Sequence, residues 1–256
     1  MNDILETSKY VTKSKNRSIG EMLIDSGKLT LDAAEQIMQL QSKENLRFGD
    51  AAIKLGFLNQ NDLQLVLASQ FDYTYLIKGQ STISEDLIAA YQPFSKQVEL
   101  LRALRSQLML RCFTGDDNRR SLTIVSPERS EGRSYIAANL AVVFSQLGAR
   151  TLLIDADMRN PCQDKLFNLQ NRIGLSTVLA ERAGMDAVQR VTDLQDLSVL
   201  TSGATPPNPQ ELIGRPVFSK FLQELEAVFD VILIDTPASA EFADANTISQ
   251  IGRAHV

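Results

Sequence analysis

The sequence predicts a mainly parallel α/β domain preceded by a small all-helical one, and three observations carry that prediction. A 24-residue unit occurs twice near the N-terminus with apolar residues at helical spacing. From residue 121 onward, short β-branched or leucine-rich runs alternate with longer helical stretches. Two of those runs end in Asp, where ligands of such sheets bind. Composition bounds the class: 256 residues with 44% apolar content suffice for packed cores. Residues 1–97 carry 10 Lys+Arg against 12 Asp+Glu, and the remainder 16 against 19, so neither part has the basic surplus of a nucleic-acid binder. No basic-then-apolar leader opens the chain, and no apolar run approaches the roughly 18 residues of a membrane span. The chain itself is therefore read as cytoplasmic. Cys112 and Cys162 lack CxxC spacing, which argues against a disulfide framework or zinc site.

Residues 1–17 are mostly polar without apolar period and read as a disordered tail. A helical repeat domain is expected over 18–78. Its copies, SIGEMLIDSGKLTLDAAEQIMQLQ (18–41) and RFGDAAIKLGFLNQNDLQLVLASQ (47–70), share Gly at positions three and ten and a closing Gln. Leu23, Ile24, Leu29, Ala34 and Met38 match Ala52, Ile53, Leu58, Leu63 and Leu67, the pattern of two short amphipathic helices per copy. Thr30 and Asn59 stand at N-cap positions, and Gly27 and Gly56 where a helix stops. The pattern resembles the N-terminal domain of type II secretion and pilus ATPases (MshEN-like), whose paired repeats RLGxxLLxxGLLxxxxLxxxLxxQ bind cyclic di-GMP. The second copy fits nearly throughout, whereas the first has Ser18 in place of the leading Arg, with Arg17 one place early. A docking or regulatory module is accordingly favoured over a cyclic di-GMP site.

Residues 79–97 mix turn residues with one short helical pattern, contain Pro93 and read as a linker. VELLRALRSQLMLR (98–111) returns to helical period, with Leu101, Leu104 and Leu108 on one side and the stripe Glu99, Arg102 and Arg105 on another. Strands are expected at 121–125, 151–155, 197–201 and 231–235, with helices such as SYIAANLAVVFSQLG between them. Strand–helix–strand spacing implies right-handed crossovers and a sheet covered on both faces.

SPERSEGRS (126–134) sits between the first strand and a helix, the setting a P-loop requires. Against GxxxxGK[ST], Gly132 and Ser134 match, while Arg133 replaces Lys and Pro127 the first Gly. Two more strand ends support the match, LLIDADMRNP (152–161) and VILIDTP (231–237), because a buried carboxylate at a strand end is costly without a partner. The fold class is α/β, a P-loop NTPase with a mainly parallel sheet behind an all-α helical-hairpin repeat domain. This order of motifs, with GATPPNPQELI (203–213) between the two Asp strands, resembles the bacterial tyrosine kinases. Within that family, the repeats in front resemble the chain-length-determinant kinases of exopolysaccharide clusters (EpsG-like). In PPNPQEL, Asn208 is expected to cap, Pro209 to begin the helix and Glu211 to complete a capping box.

The resemblance, which covers about residues 18–250, implies ATP and Mg²⁺ as cofactors and autophosphorylation on tyrosine that regulates polysaccharide chain length and export. It places the phosphates on the backbone of Ser130, Glu131, Gly132, Arg133, Ser134 and Tyr135, at a helix N-terminus that favours anions. It assigns Ser134, Asp157 and Asp235 to magnesium. Asp155, with Asp157 and Arg133, falls in the catalytic set, Asp155 as acceptor of the tyrosine proton. Arg159 is read as serving phosphate, a neighbouring subunit or a structural ion pair. Glu99, Arg102 and Arg105 correspond to the ExxRxxR element of ring assembly, and the partner implied is a transmembrane polysaccharide co-polymerase adaptor that holds the chain at the inner membrane. Ser130 replaces a Gly whose positive φ costs a Ser on the order of 1–2 kcal/mol. Arg133 is longer and planar, a poor substitute for a compact point charge. Both changes predict retained nucleotide binding with slowed catalysis, or a nucleotide-binding regulator with impaired turnover. The third reading, a ParA/MinD-like partitioning ATPase, lacks that group's early signature Lys, since Glu128 stands in that region. The kinase-like domain is expected over 98–250 and to be incomplete, with IGRAHV (251–256) a non-native tail.

Overall fold

The computed structural model describes residues 18–25, 27–60, 62–63, 66, 74–113 and 120–251. They divide into two compact units, Met1–Tyr73 and Thr74–Val256. The expected tail at 1–17 and residues 252–256 of the closing segment lie outside the described residues.

In the first unit the helices are α1 (Ile19–Asp25), α2 (Leu31–Glu44) and α3 (Phe48–Lys54). Thr30 caps α2, its side chain accepting from the Ala33 N–H. Asn59 does the same for the following helical residues, its Oδ1 accepting from Asp62 N at 2.8 Å. Gly27 and Gly56 take φ of +70° and +74°, the left-handed stop that their repeat position predicts. The recurring Gly at position three has a packing cause. A Cβ on Gly20 would stand 3.2 Å from the Phe48 ring, and one on Gly49 would stand 2.5 Å from a Leu63 methyl. Leu23, Leu29, Ala34, Ala52 and Leu58 are buried as expected, but Met38 is 54% exposed. Ile37, one position earlier on α2, takes the core place instead. Leu67, the last predicted match, lies outside the described residues.

The second unit begins with residues that composition assigns to a linker, and here the structure corrects the reading. Residues 79–97 include the short helix α4 (Ile88–Tyr91), and Ile83, Leu87, Ala89, Ala90 and Tyr91 join the main hydrophobic core. Asn139 fastens the segment, its Oδ1 accepting from Ala89 N at 2.9 Å, and Leu76 N donates to Ala90 O at 2.8 Å. The polar turn residues that suggested a connector are the surface turns between these anchors. Helix α5 (Lys96–Leu108) follows, capped by Ser95 and continued by a π-helical turn, Met109–Phe113.

The sheet contains β1 (Ser121–Ile124), β2 (Thr151–Asp155), β3 (Gln189–Arg190), β4 (Leu197–Leu200) and β5 (Val231–Asp235), in the order β1-β5-β2-β4-β3. All pairings are parallel except β3 with β4. The two-residue β3 was not predicted, being too short to show a period. Successive strand residues alternate between two cores: Leu153, Val231 and Leu233 face one, and Leu152, Ile154, Ile232 and Ile234 the other. Helix α6 (Arg133–Ser145) is buried at every position from Ala137 onward, as an apolar helix against a covered sheet face must be. The remaining helices are α7 (Gln163–Leu166), α8 (Leu175–Leu179), α9 (Pro209–Ile213), α10 (Pro216–Glu226) and α11 (Asp244–Ile251). Pro209 starts α9 as expected, but the capping box does not form. Asn208 Nδ2 donates to Glu211 Oε2 at 2.6 Å, so the two side chains satisfy each other instead of the backbone.

Candidate functional site

The register of the sheet brings the polar strand ends into one row. Ile124 is the Cα partner of Asp235, and Asp235 that of Asp155. The loop leaving β1 therefore faces the ends of β5 and β2. Ser130 has φ of +60° and Gly132 φ of +87°, so the Ser occupies the left-handed conformation expected of it. Glu131 braces the loop, its Oε2 accepting from Glu128 N at 3.0 Å. The Ser126 hydroxyl and that N–H hold the Glu131 carboxyl below the usual range. Gly132 precedes α6 without any side-chain cap, so the first N–H groups of α6 are left to a ligand or solvent.

Arg133 takes a position that its place in the motif does not suggest. Its Nε donates to Thr236 O at 3.0 Å, and Nη1 donates to Ser126 Oγ and to the Glu128 carbonyl. The guanidinium thus ties the β1 loop to the end of β5 through two carbonyl oxygens and the Ser126 hydroxyl. The loop after β5 reinforces the tie: Ser239 N donates to Ser126 O and Ala240 N to Pro127 O, each at 3.0 Å.

Asp155 is fully buried, and its oxygens accept from Asp157 N at 3.2 Å, Cys162 N at 3.1 Å and Gln163 N at 3.0 Å. Burial, with the charge of Asp235 adding, holds its carboxyl well above the ordinary range. In this conformation it organises the 157–163 turn and is not open to an incoming hydroxyl. Asp157 lies at the same edge, 8% exposed, with Oδ1 accepting from Arg159 N and Asn160 N. Asp235 is also fully buried; burial raises it to about 6, against the Gln163 amide and the Ser134 hydroxyl, which hold it down. Its Oδ2 accepts from Gln163 Nε2 at 2.8 Å, while Oδ1 is buried without a hydrogen-bond partner. An orphaned carboxylate oxygen beside a Ser hydroxyl suits a hard cation that takes oxygen ligands. Among the described residues no group of three or more His, Cys, Asp or Glu could hold a metal ion.

Arg159 resolves to an ion pair, Nε donating to Asp244 Oδ2 at 3.0 Å, with its guanidinium 4.1 Å from the Phe242 ring centroid. Tyr135 is 37% exposed on α6. Burial pushes the Cys162 thiol up to about 12, which removes it as a nucleophile at neutral pH. In the α5 stripe, Arg102 pairs with Glu99 at 3.1 Å and Arg105 Nη1 donates to Val143 O at 2.7 Å. Sequence reasoning gave no role to Thr236, which lies within VILIDTP, and missed Gln163 and Asp244, polar residues outside any motif. Their one signal is position, close behind a strand that ends in Asp. An open hollow on α2 lined by Met38, Gln39, Ser42 and Lys43 belongs to the first unit and holds none of these carboxylates. Among the described residues no helix is long and apolar enough to cross a membrane.

No protein-family model matches the chain. The chain is 36% identical over 171 residues to the tyrosine-protein kinase YwqD of Bacillus subtilis, a stretch of 67% of this chain and 71% of that one. It superimposes on the chimerical protein CapA2B2 with a TM-score of 0.61 and 37% identity, over 73% of this chain and 80% of the other. The kinase domain of the Escherichia coli tyrosine kinase ETK gives a TM-score of 0.65 at 27% identity, over 72% and 71% of the two chains.

Proposed function

The chain belongs to the bacterial tyrosine-protein kinases, and from that premise we propose that it transfers the γ-phosphoryl group of ATP to tyrosine in the control of exopolysaccharide chain length and export. The observation that carries the site assignment is the row Ile124, Asp235, Asp155 behind an uncapped helix start, with Asp235 Oδ1 buried and unpartnered. The phosphates lie on the N–H groups of residues 130–135, where the helix dipole favours anions. Ser134 and Asp235, with Asp157, hold Mg²⁺, which when bound neutralises charge on the phosphates. The tyrosine oxygen forms its bond to phosphorus as the bond to the β-phosphate breaks and ADP leaves. Asp155 takes the phenolic proton. Its burial means that the 157–163 turn must open for that step. The partners are a transmembrane co-polymerase adaptor, which holds the chain at the inner membrane, and further copies of the chain assembled through Glu99, Arg102 and Arg105.

A second reading has its own support. Arg133 spends its donors on Ser126, Glu128 and Thr236, and Ser130 holds a strained φ, so the loop is built for binding more than for turnover. In that reading the chain is a nucleotide-binding regulator of polymerisation. The test is transfer of labelled phosphate from ATP to a glutamate–tyrosine copolymer, beside calorimetric ATP binding with and without Mg²⁺. Binding with transfer that Asp155→Asn abolishes supports the kinase, binding without transfer the regulator, and no binding overturns both.

A further inference from the structure

Gln163 opens α7 and is fully buried. Its Nε2 donates to Asp235 Oδ2 at 2.8 Å and to Ser134 O at 3.1 Å, and its backbone N donates to Asp155 Oδ2 at 3.0 Å. One residue thereby touches both strand-end carboxylates and the first turn of α6. Both partners of Nε2 are acceptors, so turning the amide over would set its oxygen against two oxygens. The orientation is fixed by chemistry, and it leaves Gln163 Oε1 buried without a donor. The neighbouring Asp235 Oδ1 is in the same condition. A core glutamine with only a packing role should satisfy both ends, as Asn139 does. The Asn139 Oδ1 accepts from Ala89 N, and its Nδ2 donates to Tyr135 O at 3.0 Å. Two orphaned acceptors on one buried junction point to a ligand that supplies positive charge or water protons.

We propose that Gln163 is a positioning residue for the divalent cation: it clamps Asp235 through Oδ2, reserves Oδ1 for the metal, and offers its own Oε1 to metal-bound water. The proposal rests on the kinase reading above. Its test uses the full chain and a fluorescent ATP analogue titrated with Mg²⁺, against Gln163→Met, which keeps length and volume, and Gln163→Asn, which keeps the amide but withdraws it from Asp235. Each folded variant is expected to need about 10-fold more Mg²⁺ for half-maximal binding, as loss of a group that orients a metal ligand does, while affinity in EDTA stays unchanged. A folded variant with the wild-type Mg²⁺ requirement overturns the assignment, as does equal loss of affinity with and without the metal. Failure of both variants to fold also overturns it, since Gln163 would then be a keystone of the fold. Wild-type protein that binds no analogue at any Mg²⁺ concentration overturns the kinase reading itself, a result the variants do not produce.

Discussion

Asp155 and Asp235 are register partners on adjacent parallel strands, and both are fully buried. Two carboxylates so placed oppose each other's ionisation, and burial opposes both. The arrangement is a poor one for the empty protein and a good one for a protein that brings a cation and phosphates between them. Stability should therefore be lower without ligand than the packing implies, and the deficit should depend on pH.

Asp235→Asn is expected to stabilise the nucleotide-free chain and to remove the Mg²⁺-dependent part of ATP binding. The sign follows from the raised value of about 6 against an ordinary 3.8. Below 3.8 the carboxyl is protonated folded or unfolded, so the difference between variant and wild type is small. It grows from pH 4 to 6 and is full above 6, on the order of 3 kcal/mol. Denaturant melts of both proteins across that range measure it, and a flat difference would show that Asp235 is not destabilising.

Ser130→Gly and Arg133→Lys together are expected to raise phosphoryl turnover. Ser130 sits at φ +60°, and a Gly there relieves about 1 kcal/mol of strain while letting backbone approach phosphate. A Lys cannot span Thr236, Ser126 and Glu128 as the planar guanidinium does, so it is released toward the phosphates. Steady-state ADP release by wild type and double variant decides the matter. Equal rates would mean that the loop's departures from the motif are not what limits catalysis.

Asn139→Leu is expected to cost about 1–3 kcal/mol, because it strands the buried Ala89 N–H that Asn139 Oδ1 now satisfies. A chain beginning at residue 98 should melt well below one beginning at 74, since Ile83, Leu87 and Ala90 belong to the same core as Leu140 and Phe144. Melting temperatures of the two truncations check it. Equal values would restore residues 79–97 to the role of a linker.

That boundary marks where the sequence stops being legible. Strands such as Val231–Asp235 could be read because five consecutive buried residues leave an uninterrupted apolar run ending in a carboxylate. Ser130 and Gly132 could be read because positive φ restricts residue type. The role of 79–97 could not, since the short apolar run Leu87–Tyr91 among turn residues is too brief to show which core it joins, and only long-range bonds such as Asn139 to Ala89 give it a place. Gln163 was hidden for the same reason: its partners, Asp235 and Ser134, are distant in sequence and meet only through the sheet order β1-β5-β2.

Cyclic di-GMP is expected to bind the full chain more weakly than about 10 μM, equivalent to about −7 kcal/mol. In the first repeat Ser18 stands where the resembled motif has its leading Arg, and the structure gives Ser18 a different task. Its Oγ accepts from Glu21 N at 3.3 Å while Glu21 Oε2 accepts from Ser18 N at 3.0 Å, a reciprocal cap at the start of α1. The corresponding Arg47 precedes α3 with no capping bond from its side chain. One copy thus offers a guanidinium at this position, and the other offers a hydroxyl already engaged with its own helix. Ser18→Arg should lower the melting temperature through loss of a cap worth about 1 kcal/mol, and should tighten cyclic di-GMP binding by restoring the second guanidinium. Calorimetry on both proteins distinguishes the outcomes. Submicromolar affinity in the wild type would show that the first repeat needs no leading Arg, and an unchanged affinity in Ser18→Arg would show that the repeats are not a nucleotide site at all.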